Sequence, residues 1–326
     1  MRHFTLLFIL LAFCLNIFAQ DDDPIKVETT IVRLNVGVSD RQGRAITTLD
    51  KDNFTVFEDG VKQNILNFKP TVTPFSVVLL LDMSGSTLSF RQNIQQSAYR
   101  FVDTLSPDDR IAVIEFYDKV NLRNDFTSDR RIIANSITVA NGKGKTQFYK
   151  ALELALEKLS KEKNRRKAII CLTDGIDTML QDKDRSFLSK FDEKDVSTAI
   201  SPSMNETLSN ILSNVDAQGV TIFPIALPTG DPKRLADPTP RQFAMYSAAR
   251  NRMQTLADRS GGKFNAINRL EELGKFFGEV AADLRSLYTI EYQPTNDKRD
   301  GKFRSIKIEV DRPELIARTR QGYTPK

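Results

Sequence analysis

The chain has 326 residues, 40% hydrophobic and 27% charged, with 47 Lys and Arg against 42 Asp and Glu for a formal net charge of +5. That is a globular composition with room for one large core, or for one large and one small domain. The positive excess is small and no dense basic motif concentrates it, so the chain carries no nucleic-acid signature.

Residues 1–20, MRHFTLLFILLAFCLNIFAQ, set Arg2 before an apolar stretch from Phe4 to Ala19, and three aspartates follow at 21–23. This layout predicts a secretory signal peptide, short for a membrane span, with cleavage after Ala19 or Gln20. Leu11-Ala12-Phe13-Cys14 loosely matches a lipoprotein processing box, which the bulky Phe13 argues against. The expected address is secreted or periplasmic, with no transmembrane segment in the mature chain. Removing the leader removes Arg2, Cys14 and the only histidine, His3, and lowers the net charge to +4. A mature chain without histidine runs no Ser-His-Asp or Cys-His mechanism and builds no histidine-ligated zinc site. Cys171 is then the only cysteine, so no internal disulfide forms.

Within residues 25–39, Val32, Leu34, Val36 and Val38 alternate with Arg33, Asn35, Gly37 and Ser39, the pattern of a half-buried antiparallel strand. Asp40 to Gly43 reads as a turn. Phe54 and Val56 lead to Asp59-Gly60, a hairpin signal, and the return strand is expected from Val61 to Phe68. Pro70 and Pro74 mark a linker. This β region, 25–70, is thin for a core of its own.

From residue 75 to about 285 strand-like runs alternate with helix-like ones. Val77 to Leu81 is wholly apolar, as a central parallel strand buried on both faces would be. Ile94, Ala98, Phe101 and Leu105 recur at helical spacing. Ile111 to Phe116 is a strand, Val120 to Phe126 a short edge strand, and Arg130 to Ile137 a helix. A glycine-rich loop, Asn141 to Thr146, opens a helix with Leu152, Ala155, Leu156 and Leu159 on one face. Ala168 to Leu172 is a buried strand ending in Thr173-Asp174-Gly175. Residues 208–215 read as a helix, Val220 to Ala226 as a strand, Arg241 to Ser260 as a weakly patterned helix, Gly261 to Ala266 as a short strand, and Leu270 to Leu284 as the last helix. The alternation predicts an α/β unit: an open, mainly parallel, doubly wound sheet with helices on both faces. Gly144-Lys145-Thr146 is not a nucleotide loop, because a Walker loop needs glycine where Val139 stands.

Beyond residue 286 strand alternation returns, with Tyr288, Ile290 and Tyr292 on one face, then Ile306, Ile308 and Val310, a short strand at Leu315 to Arg318, and a loose tail. These strands are too few to stand alone. They are expected to complete the sheet begun by 25–70, giving a small β-sandwich-like domain, 25–70 with 286–326, into which 75–285 is inserted.

Three polar features fall at the carboxyl end of the proposed sheet, where open α/β folds place their sites. They are Asp82, Ser84 and Ser86 in Asp82-Met83-Ser84-Gly85-Ser86, then Thr146, then Asp174. Two carboxylates and three hydroxyls make an all-oxygen set suited to Mg²⁺ or another hard cation such as Mn²⁺ or Ca²⁺. Taken singly, each has a plainer reading: Ser and Asp as helix caps, Thr146 as a cap, Asp174 as a turn residue with Gly175. The polar stretch from Asp177 to Glu206 reads as a solvated loop, or as a specificity surface beside the site. Glu115, near the end of its strand, reads as an exposed side chain in preference to a support for the site.

The chain here resembles the von Willebrand factor type A family. Asp82-Met83-Ser84-Gly85-Ser86 is similar to its metal-site motif DxSxS (MIDAS), Thr146 to its separate threonine, and Asp174 to its final aspartate. The flanks also resemble a group of secreted Acidobacteria proteins, through Phe54-Thr55-Val56-Phe57-Glu58-Asp59-Gly60 and Arg320-Gln321-Gly322-Tyr323. The family resemblance implies that Ser84, Ser86 and Thr146 supply hydroxyl ligands. It implies that Asp82 and Asp174 bind through water or directly, and that a partner protein's Asp or Glu completes the shell. The expected function is a metal-dependent binding module for adhesion or assembly, not an enzyme. Its rivals are an envelope protein whose metal only stabilises the fold, and, with least support, a metal-dependent hydrolase.

Overall fold

The computed structural model describes residues 31–325 apart from 43, 70–72 and 194. The expected signal peptide, the box at Cys14, residues 25–30 of the first strand and Pro70 lie outside the described residues. The chain runs β1 (Val32–Ser39), β2 (Phe54–Glu58), β3 (Val61–Gln63), β4 (Ile65–Lys69), β5 (Phe75–Asp82), α1 (Arg91–Thr104), β6 (Arg110–Phe116), β7 (Val120–Thr127), α2 (Arg130–Val139), α3 (Phe148–Ser160) and β8 (Arg166–Thr173). It continues α4 (Thr178–Leu188), α5 (Val196–Ala199), α6 (Glu206–Gln218), β9 (Val220–Ala226), α7 (Pro240–Ser260), β10 (Asn265–Ala266), α8 (Leu273–Ser286), β11 (Leu287–Tyr292), β12 (Arg304–Val310), β13 (Ile316–Arg318) and β14 (Gly322–Tyr323).

The central sheet has the order β10-β9-β8-β5-β6-β7 and is parallel except for β7 at its edge. Every residue of β5 is buried, as expected of a strand covered on both faces. Its side chains alternate. Val77, Leu79 and Leu81 pack with Ile94, Ala98 and Phe101 of α1 and Phe277, Val280 and Leu284 of α8. Val78 and Leu80 pack with Leu152, Ala155 and Leu156 of α3 and Met253 and Leu256 of α7. Truncating any one of these leucines to alanine is worth roughly 2–5 kcal/mol. The fold class is the expected one.

The flanks form two further sheets, β13-β1-β11-β4 and β14-β12-β2-β3, in which amino- and carboxyl-terminal strands pair with each other. Leu34, Val36, Tyr288, Ile290 and Tyr292 of one face Val56 and Ile306 of the other. The inserted unit leaves from β4 and returns into β11, and these neighbours pair Lys69 with Thr289.

Three expectations are corrected. The return strand is two strands: β3 pairs with β2, while β4 pairs with β11 in the other sheet. The chain turns the sandwich corner at Asn64, and there the Gln63 amide exchanges hydrogen bonds with Thr295, 3.1 Å to its Oγ1 and 3.0 Å from its backbone N–H. The stretch after Asp174 is no solvated loop. Asp177 caps α4 by accepting from the backbones of Met179 and Leu180, and Asp184 of that helix is buried in a bidentate pair with Arg252, at 2.6 and 2.7 Å. The tail is not loose, because Arg320 and Tyr323 are buried. Arg320 donates to the Asp216 carbonyl at 2.8 Å and the Tyr323 hydroxyl to Glu58 at 3.1 Å. Among the described residues no helix is long and apolar enough to cross a membrane.

Candidate metal site

Parallel pairing sets Leu81 of β5 beside Leu172 of β8. Asp82 and Asp174 therefore leave the sheet together at its carboxyl edge. Gly175, with φ of +78°, turns the second chain away at once, and a Cβ there would stand 2.2 Å from the Met253 sulfur. Both carboxylates are fully buried. Asp82 Oδ1 accepts the Ser84 N–H at 3.0 Å and its Oδ2 accepts the Thr173 hydroxyl at 2.6 Å. Asp174 Oδ1 accepts the Ile176 N–H at 3.0 Å, and its Oδ2 accepts the hydroxyls of Ser86 at 2.9 Å and Thr229 at 3.0 Å. Ser84 Oγ lies 3.1 Å from Ser86 Oγ. Four of the five expected residues thus form one hydrogen-bonded cluster.

The glycine-rich loop is bound to this cluster by backbone. Gly85 N–H donates to the Gly144 carbonyl at 3.0 Å. The Arg91 guanidinium joins the two loops, donating to the carbonyls of Met83 at 3.1 Å and Gly142 at 2.6 Å. Glu115, expected on the surface, is buried, and accepts from Arg123 at 2.6 Å, Asn121 at 2.9 Å and the Asn141 N–H at 2.9 Å. Its partners sit on the antiparallel edge strand and the loop start, which is why an acid at the end of an apolar run is not on the surface.

Thr146 is buried at the end of this loop. Its N–H donates to Thr178 Oγ1 at 2.9 Å and its carbonyl accepts the Thr178 N–H at 3.0 Å. The side chain joins the cluster through no hydrogen bond among the described residues. Nor does it cap α3, whose N-cap is Gln147 without a side-chain bond. Ser84 likewise precedes a 3₁₀ turn, Gly85–Phe90, and does not cap it.

The electrostatics are one-sided. Burial and then the neighbouring Asp174 push the Asp82 carboxyl up to about 7, and burial pushes Asp174 up as well. Among the described residues no lysine or arginine forms an ion pair with either. Arg250 acts on Asp174 without bonding to it, being held over the Tyr246 ring at 4.8 Å. No three His, Cys, Asp or Glu side chains converge among the described residues, so the donors are hydroxyls and two carboxylates. That set fits a hard cation of near-octahedral preference. Sequence reasoning missed Thr173 and Thr229, which orient the two carboxylates. Thr229 follows β9 in Pro228-Thr229-Gly230, and its position at a fourth strand's carboxyl edge is the signal that marks it.

A family model described as von Willebrand factor type A domain matches residues 77–176, a span that holds all five candidate residues. Among solved structures, the chain is similar to the vWF domain of the type V pilus tip protein Mfa5 from Porphyromonas gingivalis, at 16% identity and TM-score 0.47 over 64% of this chain and 94% of that one. It is also similar to a von Willebrand factor type A protein from Catenulispora acidiphila, at 11% identity and TM-score 0.47 over 92% and 75%. A third similarity is to proximal thread matrix protein 1 of the mussel byssus with a zinc-occupied MIDAS motif, at 17% identity and TM-score 0.48 over 69% of this chain and 49% of that one. No curated protein matches the sequence significantly.

Proposed function

We propose that this chain, whose residues 77–176 match the von Willebrand factor type A model, is a secreted or periplasmic binding module that captures an acidic residue of a partner protein through a Mg²⁺-type centre. The observation that carries this reading is the pair of buried carboxylates, Asp82 and Asp174, with no ion-paired cation and with hydroxyls around them that cap nothing. Two such carboxylates repel, and a divalent cation offsets that cost. Asp82, Ser84, Ser86, Thr146 and Asp174 would hold it, with Mn²⁺ and Ca²⁺ as chemical alternatives. Few charges among the donors leave the ion electrophilic, and Mg²⁺ retains waters that an incoming Asp or Glu can replace. When bound, the ion supplies that Lewis-acidic position. Thr173 and Thr229 orient the carboxylates, while Arg91 and Glu115 fix the loop that carries Thr146. Residues 75–285 do the binding in this reading, and 25–70 with 286–326 support them. The role is recognition, not turnover.

Thr146 gives the sharpest test, because it lies some sixty residues from the serines in sequence. Thr146→Ala should weaken Mg²⁺ binding at least about tenfold, roughly 1.4 kcal/mol, while Thr146→Ser keeps most of it. Calorimetric titration of both variants, with melts in chelator as folding controls, reads this out. Parent-like Mg²⁺ affinity in Thr146→Ala overturns the assignment. A Mg²⁺ melting shift with no chelator-sensitive capture of any carboxylate partner would leave the metal a purely structural role.

A further inference from the structure

At the other end of the central sheet, the amino end of β8 meets β1, β4 and β11. A small cleft there is lined by five cationic side chains: Arg33, Lys69, Arg165, Arg166 and Lys167. Three carboxylates stand near it and all are engaged, Asp109 by the backbone N–H groups of Phe75 at 2.7 Å and Ser106 at 2.9 Å. Glu291 accepts from Arg33 at 2.7 Å and Asn67 at 3.1 Å, and Glu162 from Arg110 at 2.9 Å and the Ser76 hydroxyl at 2.6 Å. Arg165 donates to the Phe75 carbonyl at 2.8 Å, and Arg166 to the carbonyls of Thr73 at 2.6 Å and Leu287 at 2.5 Å. Lys167 differs. The residue is 8% exposed with its ammonium open to the cleft, and among the described residues no hydrogen bond or ion pair engages it. Burial and the nearby Arg33 hold its pKa below the ordinary lysine value, with Glu162 offsetting them in part.

An ammonium that meets solvent only through a narrow cleft, with no counter-ion or hydrogen bond of its own, is open to an anion entering that cleft. Four more cations crowd the same opening. The cleft measures about 10 Å³, room for one oxygen atom and not for a base or a sugar ring. We propose that this cleft is an oxyanion site that takes a phosphate group end-on, one oxygen on Lys167 and the others against its cationic rim. A phosphate suits the site better than a carboxylate. It carries close to two negative charges against an excess of cations, and its several acceptor oxygens suit a rim of planar guanidinium donors. The chemistry is shared by free inorganic phosphate and by a phosphomonoester lipid headgroup. The site is independent of the metal reading.

Melting and calorimetry with inorganic phosphate, against chloride at equal ionic strength, test it. The parent should bind phosphate and melt higher with it, in a saturable way. Lys167→Met should lose at least about tenfold in phosphate affinity. In phosphate-free buffer it should melt no lower than the parent, because its loss relieves repulsion with Arg33 and breaks no hydrogen bond among the described residues. Lys69→Gln, at the rim, should weaken phosphate severalfold with an unchanged melt. Co-sedimentation with phosphatidic acid vesicles but not phosphatidylcholine vesicles, reversed by phosphate, assigns the lipid source, and phosphate binding without vesicle binding assigns the free ion. No phosphate-specific heat or melting increment, or parent-like phosphate binding by Lys167→Met, overturns the proposal.

Discussion

Asp82 ends a strand in which every side chain is buried, and its carboxylate has nowhere to meet water. Its raised pKa, about 7, makes a pH prediction whose sign is unusual for an aspartate. The folded state keeps the proton to higher pH than the unfolded chain does. Between the ordinary carboxylate range and about pH 7, the native state therefore binds more protons, and the metal-free protein loses stability as pH rises through that window. A divalent cation competes with the proton, so stabilisation by Mg²⁺ grows over the same window. Melts in chelator should fall between about pH 5 and pH 7.5, saturating Mg²⁺ should reduce the difference, and Asp82→Asn should flatten the chelator curve. A flat chelator curve for the parent would contradict the shared burial of Asp82 and Asp174. At this scale Asp82, Ser84, Ser86 and Asp174 were legible because each lies within five residues of a wholly apolar run. Glu115, Thr173 and Thr229 lie as close to such runs and were missed, because closeness to a strand end does not say whether a polar side chain turns inward to a carboxylate or loop, or outward to water.

Elements were legible where apolar residues mark the buried face and illegible where polar residues do. Helix α4 buries Asp184 and Leu188, so a carboxylate occupies a position that helical periodicity expects to be apolar. Its ion pair with Arg252, 68 residues away, makes that tolerable and leaves no local trace. The corner at Asn64 was hidden for another reason: alternation carries through it, with Gln63 and Ile65 both buried, although the two halves belong to different sheets. Strand β14 is only two residues long, and its hold comes from Arg320 and Tyr323. Removing residues 319–326 should uncover Tyr292, whose hydroxyl shares Glu58 with Tyr323, and cost about 2–4 kcal/mol in urea unfolding. A truncated chain as stable as the parent would reduce the tail to decoration.

The described residues from 31 to 325 form one compact unit although the chain order interleaves two cores. The joints are specific. Asn35 of β1 donates to the Gly219 carbonyl at 3.0 Å and to Thr221 Oγ1 at 2.8 Å, and Arg320 of the tail reaches Asp216 of α6, 2.8 Å from its carbonyl and 3.6 Å from its carboxylate. Ser286 ends α8 and Leu287 begins β11, with no linker between them. This continuity predicts one calorimetric transition, with van't Hoff and calorimetric enthalpies equal, shifted as a whole by Mg²⁺. Two resolved transitions would show the joints to be weak. The partnership of the flanks was legible because neither has strands enough to close alone. The joints were not, since each links residues about 100 to 190 positions apart through one or two hydrogen bonds.

The junction of α8 with β11 also sets how the molecule bears tension. Strand β1 enters its pairing at Val32, opposite Tyr292, and β11 enters at Leu287, opposite Gly37. A pull between residue 31 and α8 draws these antiparallel strands along their own axes in opposite directions. Their bonds run perpendicular to that pull. The six paired positions are then strained together in shear instead of being unzipped in turn, so a load taken at the far edge of the central sheet is resisted by the whole length of the strand pair.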